Sequence, residues 1–358
     1  MAEPAGTVGS VGTVGIVGGG QLGRMLAVAG AGLGLDVVVL DPDPDAPAAR
    51  VAAANVVGAY DDPEALARLA DLCDVVTYEF ENVAPDVLKA LDVPVHPPVR
   101  ALEVGQDRLD EKRFLASIGL GTAPFEAVER DAGAIDAALA RLGGRGILKT
   151  RRLGYDGKGQ VRLPETSAAD ALAHVGAGEL ILEGWVAFDA EISVIGVRGG
   201  EHEATYDPAA NVHREGILRR SRVPSGVSAA LEMRSREATL ALMRALDYRG
   251  VVGVEFFAVG ERLLVNEFAP RVHNSGHWTD GACAVSQFEN HMRAVAGLPI
   301  GPTHRLADAL MENLIGTVAY DAASVDRAVL YGKREARPGR KMGHTVTLAP
   351  LDRSRHTA

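Results

Sequence analysis

The apolar positions of this chain come in short β-branched runs separated by glycine turns and helical stretches. Thr13 to Val17 is followed at once by Gly18-Gly19-Gly20, a helix from Arg24 to Leu33, and a second strand from Val37 to Leu40 closed by Asp41. Cys73 to Tyr78 reads as a further strand and Ala84 to Leu91 as a helix, with Pro94, Pro97 and Pro98 punctuating the end of the unit. Asp107, Arg108, Lys112 and Arg113 fall on the next helix. Strands are expected at Ile147–Thr150, Glu179–Val186 and Ala190–Val197. The predicted class is α/β plus α+β. The N-terminal third reads as an α/β unit with a boundary near residue 100.

The densest alternation is GVVGVEFFAVGERLLVNEFAPR, two strands joined at Gly260-Glu261-Arg262. A three-residue loop pairs Val259 with Leu263, Phe257 with Val265 and Glu255 with Glu267. Carboxylates directly opposite each other lie about 4.5–5.5 Å apart at Cβ. They repel unless a proton or a cation sits between them. Two hard oxygen ligands of this kind suit Mg²⁺, which takes further ligands from substrate phosphates. The read-out against this is a pair of solvated glutamates, which the apolar surroundings disfavour.

Composition narrows the partners. The chain has 358 residues, 47% hydrophobic, and a formal net charge of −10. That charge argues against general nucleic-acid binding but not against a local basic pocket. Cys73 and Cys283 are too few for a disulfide framework and read as small buried hydrophobes. The apolar runs are too short to span a membrane, and the first twelve residues lack the features of a signal peptide, so a cytoplasmic protein is expected.

Two glycine-rich loops are candidate anion cradles. Gly18 to Gly23 matches GxGxxG between a strand and a helix, with Asp41 about 20 residues on, which taken alone suggests NAD. The same amides serve any phosphate. RRLGYDGKGQ, residues 151–160, follows a strand ending in Lys149. Its glycines can fold over phosphates, with Lys158 or Arg151 adding charge. Glu79, at the end of the third strand, faces the ligand crevice of such folds, while Glu81 reads as a helix-start charge. Glu183 ends a strand whose backbone can meet a purine edge. His213 alone reads as a structural histidine.

These residues, in this order, resemble the ATP-grasp superfamily. GGGQLGRM (18–25), YEFENV (78–83), AANVHREGILRRSR (209–222), NEFAPRVHNSGHWT (266–279) and RPGRKMGH (337–344) resemble more closely its N5-carboxyaminoimidazole ribonucleotide synthetases. The resemblance implies an ATP-grasp fold with a Rossmann-like pre-ATP-grasp domain over residues 13–100, a linking helical segment over 101–120, a lid over 121–186 and a larger C-terminal domain over 187–358. It implies a carbon–nitrogen ligase that carboxylates 5-aminoimidazole ribonucleotide with bicarbonate and ATP, through carboxyphosphate. The implied cofactors are ATP and Mg²⁺, with Mn²⁺ serving the same oxygen chemistry, and the implied assembly is a homodimer. ATP would meet Arg108, Lys149, the loop Gly154-Tyr155-Asp156-Gly157-Lys158-Gly159-Gln160, the linker Glu183-Gly184-Trp185-Val186, Glu191, His213, Asn266 and Glu267. The metal would meet Glu255 and Glu267. Tyr155, Asp156, Arg271, His273 and Asn274 would serve catalysis, Asp156 as a proton acceptor. The ribonucleotide would meet Gln21, Leu22, Glu79, Asn274, Ser275, Lys333, Arg340 and Lys341, the last three as its phosphate site. By contrast, Arg334 and Arg337 read as solvated charges.

Two other readings compete. A formate-dependent glycinamide ribonucleotide transformylase shares the layout and the acyl-phosphate logic. An NAD-dependent oxidoreductase would use GxGxxG and Asp41 but leaves the carboxylate hairpin without a purpose.

Overall fold

The structure is a computed structural model and describes residues 12–154, 158–317, 319–321 and 323–352. In chain order the N-terminal elements are β1 (Thr13–Val17), α1 (Gln21–Gly32), β2 (Asp36–Asp41), β3 (Ala54–Val57), α2 (Pro63–Asp71), β4 (Val75–Tyr78), α3 (Pro85–Lys89), α4 (Val99–Gly105) and α5 (Arg108–Ser117). The four strands are parallel in the order β3-β2-β1-β4. Both faces are covered, which is why the strands read as continuous β-branched runs. Leu66, Leu69, Leu88 and Leu102 pack on one face with Val38, Leu40 and Val76. Leu22, Met25 and Leu26 of α1 pack on the other, in a core shared with Phe288 and Met292 from the far end of the chain. Each such side chain contributes about 1.5–3 kcal/mol on burial.

Two expectations change here. The first helix begins at Gln21, directly after the glycines, whose Gly19 and Gly20 amides donate to Asp41 and Glu79. The helix expected from Ala84 starts at Pro85, with Asp86 as its first-turn acid. Glu81 lies outside it and pairs instead with Arg271 at 3.0 Å.

The small unit holds β5 (Phe125–Val128), α6 (Ala132–Arg141), β6 (Gly146–Thr150), β7 (Gln160–Leu163), α7 (Ala168–His174) and β8 (Leu180–Gly184). Its antiparallel sheet runs β5-β8-β6-β7, and α6 and α7 close one face over Leu148, Leu163, Leu180 and Leu182. Asp131 and Ser167 cap the two helices by accepting from Ala134 and Asp170 amides.

The larger unit continues with β9 (Ala190–Gly199), β10 (His202–Thr205), β11 (Ala209–Arg214), β12 (Ile217–Val223), α8 (Ala229–Ala245), β13 (Gly250–Val259), β14 (Arg262–Ala269), a 3₁₀ turn (Asn274–Gly276), α9 (Thr279–Ala282), α10 (Gln287–Val295), β15 (Asp308–Ile315), β16 (Arg327–Leu330) and β17 (Lys341–Ala349). Eight strands lie in the order β14-β13-β9-β11-β12-β15-β17-β16, and a ninth, β10, pairs antiparallel with β9.

The β13–β14 hairpin corrects the expected register. Its loop has two residues, so Val259 pairs with Arg262, Phe257 with Leu264 and Phe256 with Val265. Gly260 takes φ +55°, a turn conformation that glycine adopts freely. A β-bulge between Glu255 and Phe256 then shifts the register by one residue and leaves Glu255 opposite Glu267. The carboxylate pair is the expected one, reached by a shorter turn plus a bulge.

Candidate active site

The bulged hairpin places Glu255 and Glu267 side by side at the junction of the three units. Arg108, one residue past the Asp107 cap of α5, donates to Glu267 Oε2 at 3.0 Å and to the Gly154 carbonyl at 3.1 Å. Burial opposes ionisation of Glu267, but Arg108, aided by Lys149, holds its carboxyl well below the usual range. The Glu267 side chain is 41% exposed at the cleft, which favours the Arg108 contact over burial as the deciding influence. Glu255 is pushed up, by burial first and by the Glu267 charge second. Glu255 therefore holds a proton more readily than Glu267, the asymmetry expected where two carboxylates share a face and a cation, Arg108, contacts only one of them. Among the described residues no cluster of three or more His, Cys, Asp or Glu exists. The pair supplies two hard oxygens and leaves further ligands to come from a phosphate, a donor set that fits Mg²⁺.

Behind this pair lies a buried charge cluster. Lys149 and Lys112 both reach Glu183 Oε2, at 3.0 and 3.5 Å, and Lys112 also donates to the Asn266 carbonyl at 3.4 Å. Burial pulls Lys149 down, and Glu183 opposes that. The Glu183 side chain thus faces the lysines. In the linker, the Gly184 amide donates to the Pro124 carbonyl and the Trp185 amide to the Arg145 carbonyl. The Trp185 ring lies against Arg145 and Arg162, with guanidinium carbons 4.9 and 5.5 Å from its centre. Gly184 and Trp185 therefore have their amides engaged within the small unit, which narrows the edge expected for a purine. Arg151 is likewise engaged, forking onto Asp107 at 2.8 and 2.9 Å and pairing with Glu179. Gly159 takes φ +68° beside Thr150, and Lys158 and Gln160 are exposed. Tyr155, Asp156 and Gly157 lie outside the described residues.

The segment after β14 forms the opposite wall. His273 Nε2 is 3.9 Å from Glu255, and its Nδ1 meets the Ser275 hydroxyl at 2.8 Å. Burial and then Arg271 pull His273 down to about 3, so the ring is neutral at pH 7. Ser275 is fully buried and orients His273, a departure from the expected ribonucleotide contact. Asn274 and Asn313 exchange side-chain hydrogen bonds, at 3.1 and 2.5 Å. The Gln287 amide accepts from His273 N–H and donates to the His273 carbonyl, pinning the segment from below. Across the sheet, His213 Nδ1 lies 2.6 Å from Glu191. Burial lowers His213, but Glu191, then Glu255, raise it above its ordinary value.

The basic C-terminal residues close the site from the side. Lys333 donates to the Lys341 carbonyl at 2.9 Å, and the Lys341 charge acts on Glu255 and His273. Arg340 donates to the Glu335 carbonyl at 3.0 Å. Arg334, read from sequence as a solvated charge, pairs with Asp45 at 2.7 Å and so ties this segment to the N-terminal unit.

At the glycine loop, Glu79 Oε1 accepts the Gly20 amide at 2.7 Å. Burial raises Glu79, and Arg271 and the Gly20 amide counter it. Asp41 accepts from the Gly19 amide at 2.7 Å and from the Tyr60 hydroxyl at 2.5 Å. A carboxylate occupies the helix N-terminus, and the acid that a dinucleotide ribose would need is already engaged. This geometry disfavours the NAD reading. Gln21 is half-buried, but Leu22 sits in the core, so its side chain is not a ligand contact. A cleft of about 600 Å³ is lined in part by Pro42, Tyr60, Phe80, Gln106, Arg152 and Leu153.

Glu111 and Asn313 were not singled out from sequence. Glu111 had a signal, standing three residues after Arg108 on one helix face. Asn313 had none, because it comes from β15, 39 residues after Asn274.

Three family models match in chain order: the ribonucleotide synthetase preATP-grasp domain over residues 11–106, the ATP-grasp domain over 113–288, and the phosphoribosylaminoimidazole carboxylase C-terminal domain over 309–355. The N5-carboxyaminoimidazole ribonucleotide synthase of Brucella melitensis is 54% identical over 97% of this chain and 98% of its own length. That of Pseudomonas aeruginosa is 43% identical over 94% of each. Among solved structures, an N5-carboxyaminoimidazole ribonucleotide synthetase in complex with ADP matches with a TM-score of 0.91 at 38% identity, over 96% of this chain and 93% of that one. The Aspergillus clavatus synthase in complex with ADP and 5-aminoimidazole ribonucleotide matches at 0.89 and 33%, over 96% of each chain.

Proposed function

The chain belongs to the N5-carboxyaminoimidazole ribonucleotide synthases, the ATP-grasp ligases of purine biosynthesis, and from that premise we propose how its residues carry out the ATP-dependent carboxylation of 5-aminoimidazole ribonucleotide. Bicarbonate is a poor electrophile, being anionic and lacking a good leaving group. One of its oxygens attacks the γ-phosphorus, the bond to ADP breaks, and carboxyphosphate forms. The amine nitrogen of the ribonucleotide then bonds to the carboxyl carbon as phosphate leaves, and the nitrogen gives up one proton. Most of the catalysis is positioning and charge neutralisation in a dry site.

The observation that carries this reading is the Glu255–Glu267 pair flanked by Arg108 and Lys149 on one side and His273 and Lys341 on the other. Glu255 and Glu267 would hold Mg²⁺, which when bound offsets phosphate charge. Arg108 and Lys149 bind the triphosphate, Lys149 exchanging Glu183 for phosphate oxygens. Glu183, Gly184, Trp185 and Val186 border the adenine, and Glu191 and His213 the ribose. Arg271 forks onto an oxyanion once it leaves Glu81. Neutral His273 and the clamped Asn274 orient the carboxyl group. Glu79, the loop at Gln21, Lys333, Arg340 and Lys341 hold the ribonucleotide. Asp156 remains the proposed proton acceptor. The working form is taken to be a cytoplasmic homodimer, on family membership alone.

A coupled ADP-release assay tests the reading. Turnover should require the ribonucleotide and bicarbonate together, and Glu267→Gln should lower it by about 100-fold, the scale of one lost transition-state charge contact. Turnover supported by formate in place of bicarbonate would transfer the chain to the transformylase reading.

A further inference from the structure

Two buried side chains on the site face of the large sheet have donors that the assigned ligands do not use. Glu267 stands opposite Glu255, and Glu255 opposite Ser193 on β9. One strand further on, Asn211 of β11 stands opposite Glu191 and, on its other side, opposite Ser221 of β12. Registered partners and residues two apart share a face, so Ser193, Asn211 and Ser221 look out beside Glu255 and Glu191. Ser193 is 2% exposed and Asn211 8%. The Ser221 hydroxyl donates to Asn211 Oδ1 at 2.7 Å, which fixes the amide and aims its Nδ2 elsewhere. Among the described residues, neither Asn211 Nδ2 nor Ser193 Oγ has a hydrogen-bond partner. Buried donors without partners are rare in native structures, and each calls for an explanation, a catalytic role or a bound water or ion among them. The turn Asn274–Gly276 packs directly over these strands, so closely that a Cβ added at Gly276 would stand 2.6 Å from Ile195 Cγ1.

We infer that Asn211 and Ser193 form the neutral half of the bicarbonate subsite, beneath His273 and Asn274 and beside the Glu255–Glu267 pair. The inference rests on the functional reading above. The chemistry explains why these donors are uncharged. A lysine or arginine on this face would pair with Glu191 or Glu255 and lose its hold on an anion. An amide N–H and a hydroxyl keep their direction in that field. The Asn211 amide donates to a carboxyl oxygen. The Ser193 hydroxyl both donates and accepts, so it can also meet the O–H of bicarbonate, a group that formate lacks.

Ser193→Ala and Asn211→Leu test this by steady-state kinetics with bicarbonate, ATP and the ribonucleotide varied in turn, beside thermal melts. Each variant should raise the bicarbonate KM about tenfold, one hydrogen bond at roughly 1.4 kcal/mol per decade. The KM for ATP and for the ribonucleotide should stay within about twofold; Tm should hold or rise in Ser193→Ala, where only a buried unpaired donor is removed, and fall modestly in Asn211→Leu, which also takes the acceptor from the buried Ser221 hydroxyl. An unchanged bicarbonate KM in both variants overturns the inference. So does a parallel rise of all three constants with a fall in Tm, the pattern expected if these donors only hold a buried water. Wild-type ADP release that ignores bicarbonate would overturn the functional reading itself, and it is seen without either variant.

Discussion

Replacing Glu111 by glutamine should stabilise the protein at alkaline pH and change little at pH 5. Glu111 lies on α5, 2% exposed, and its Oε1 accepts the Phe268 amide at 2.7 Å, next to Glu267 in the chain. Burial, with the Glu267 charge, raises it from 4.5 to about 8, against the opposing charge of Lys112. The folded protein therefore keeps this carboxyl protonated at neutral pH, whereas the unfolded chain ionises it near 4.5. A group raised on folding contributes stability that is complete below the unfolded value and lost as pH rises through the folded one. The gap of about 3.5 pH units corresponds to about 4–5 kcal/mol at 1.36 kcal/mol per unit. Glutamine mimics the protonated form at every pH and keeps the carbonyl that accepts from Phe268. Urea unfolding and thermal melts at pH 5, 7 and 9 should show a gain for Glu111→Gln that starts near zero and grows by about this amount. A gain that does not change with pH would refute the reasoning. A variant less stable than the parent at pH 9 would show that Glu111 is ionised and held by Lys112.

Two further substitutions separate the substrate sites. A Cβ at Gly20, whose φ of −69° suits alanine, would stand 2.6 Å from Glu79 Oε1. Gly20→Ala should push that carboxylate off the helix N-terminus and raise the ribonucleotide KM with ATP binding unchanged; a normal KM would remove Glu79 from substrate recognition. Arg340→Ala should raise the ribonucleotide KM about tenfold through one lost charge-assisted hydrogen bond. Weakened ATP affinity with normal ribonucleotide affinity would mean the two phosphate sites are exchanged.

Local chemistry determined much of this protein from sequence alone. β-Branched runs followed by glycine were enough to place the β1–α1 turn, and alternating apolar residues the β13–β14 hairpin, because both depend on backbone preference within a few residues. The Glu255–Glu267 pairing was legible too, although by the wrong route. A two-residue and a three-residue turn differ little in local energy, and the bulge that restores the pair is held by neighbours: Glu111 on the Phe268 amide and β9 against β13. Tertiary structure alone decided who meets whom across long separations. Glu79 reaches Gly20 over 59 residues, and Arg271 reaches Glu81 over 190. It also decided which basic residues are already engaged, as Arg151 is by Asp107, and which apolar neighbour of the glycine loop turns inward, as Leu22 does. The physical reason is that a strand's period tells which face a side chain takes. What stands opposite that face depends on packing among β9, α5 and β15, which no local stretch of sequence encodes.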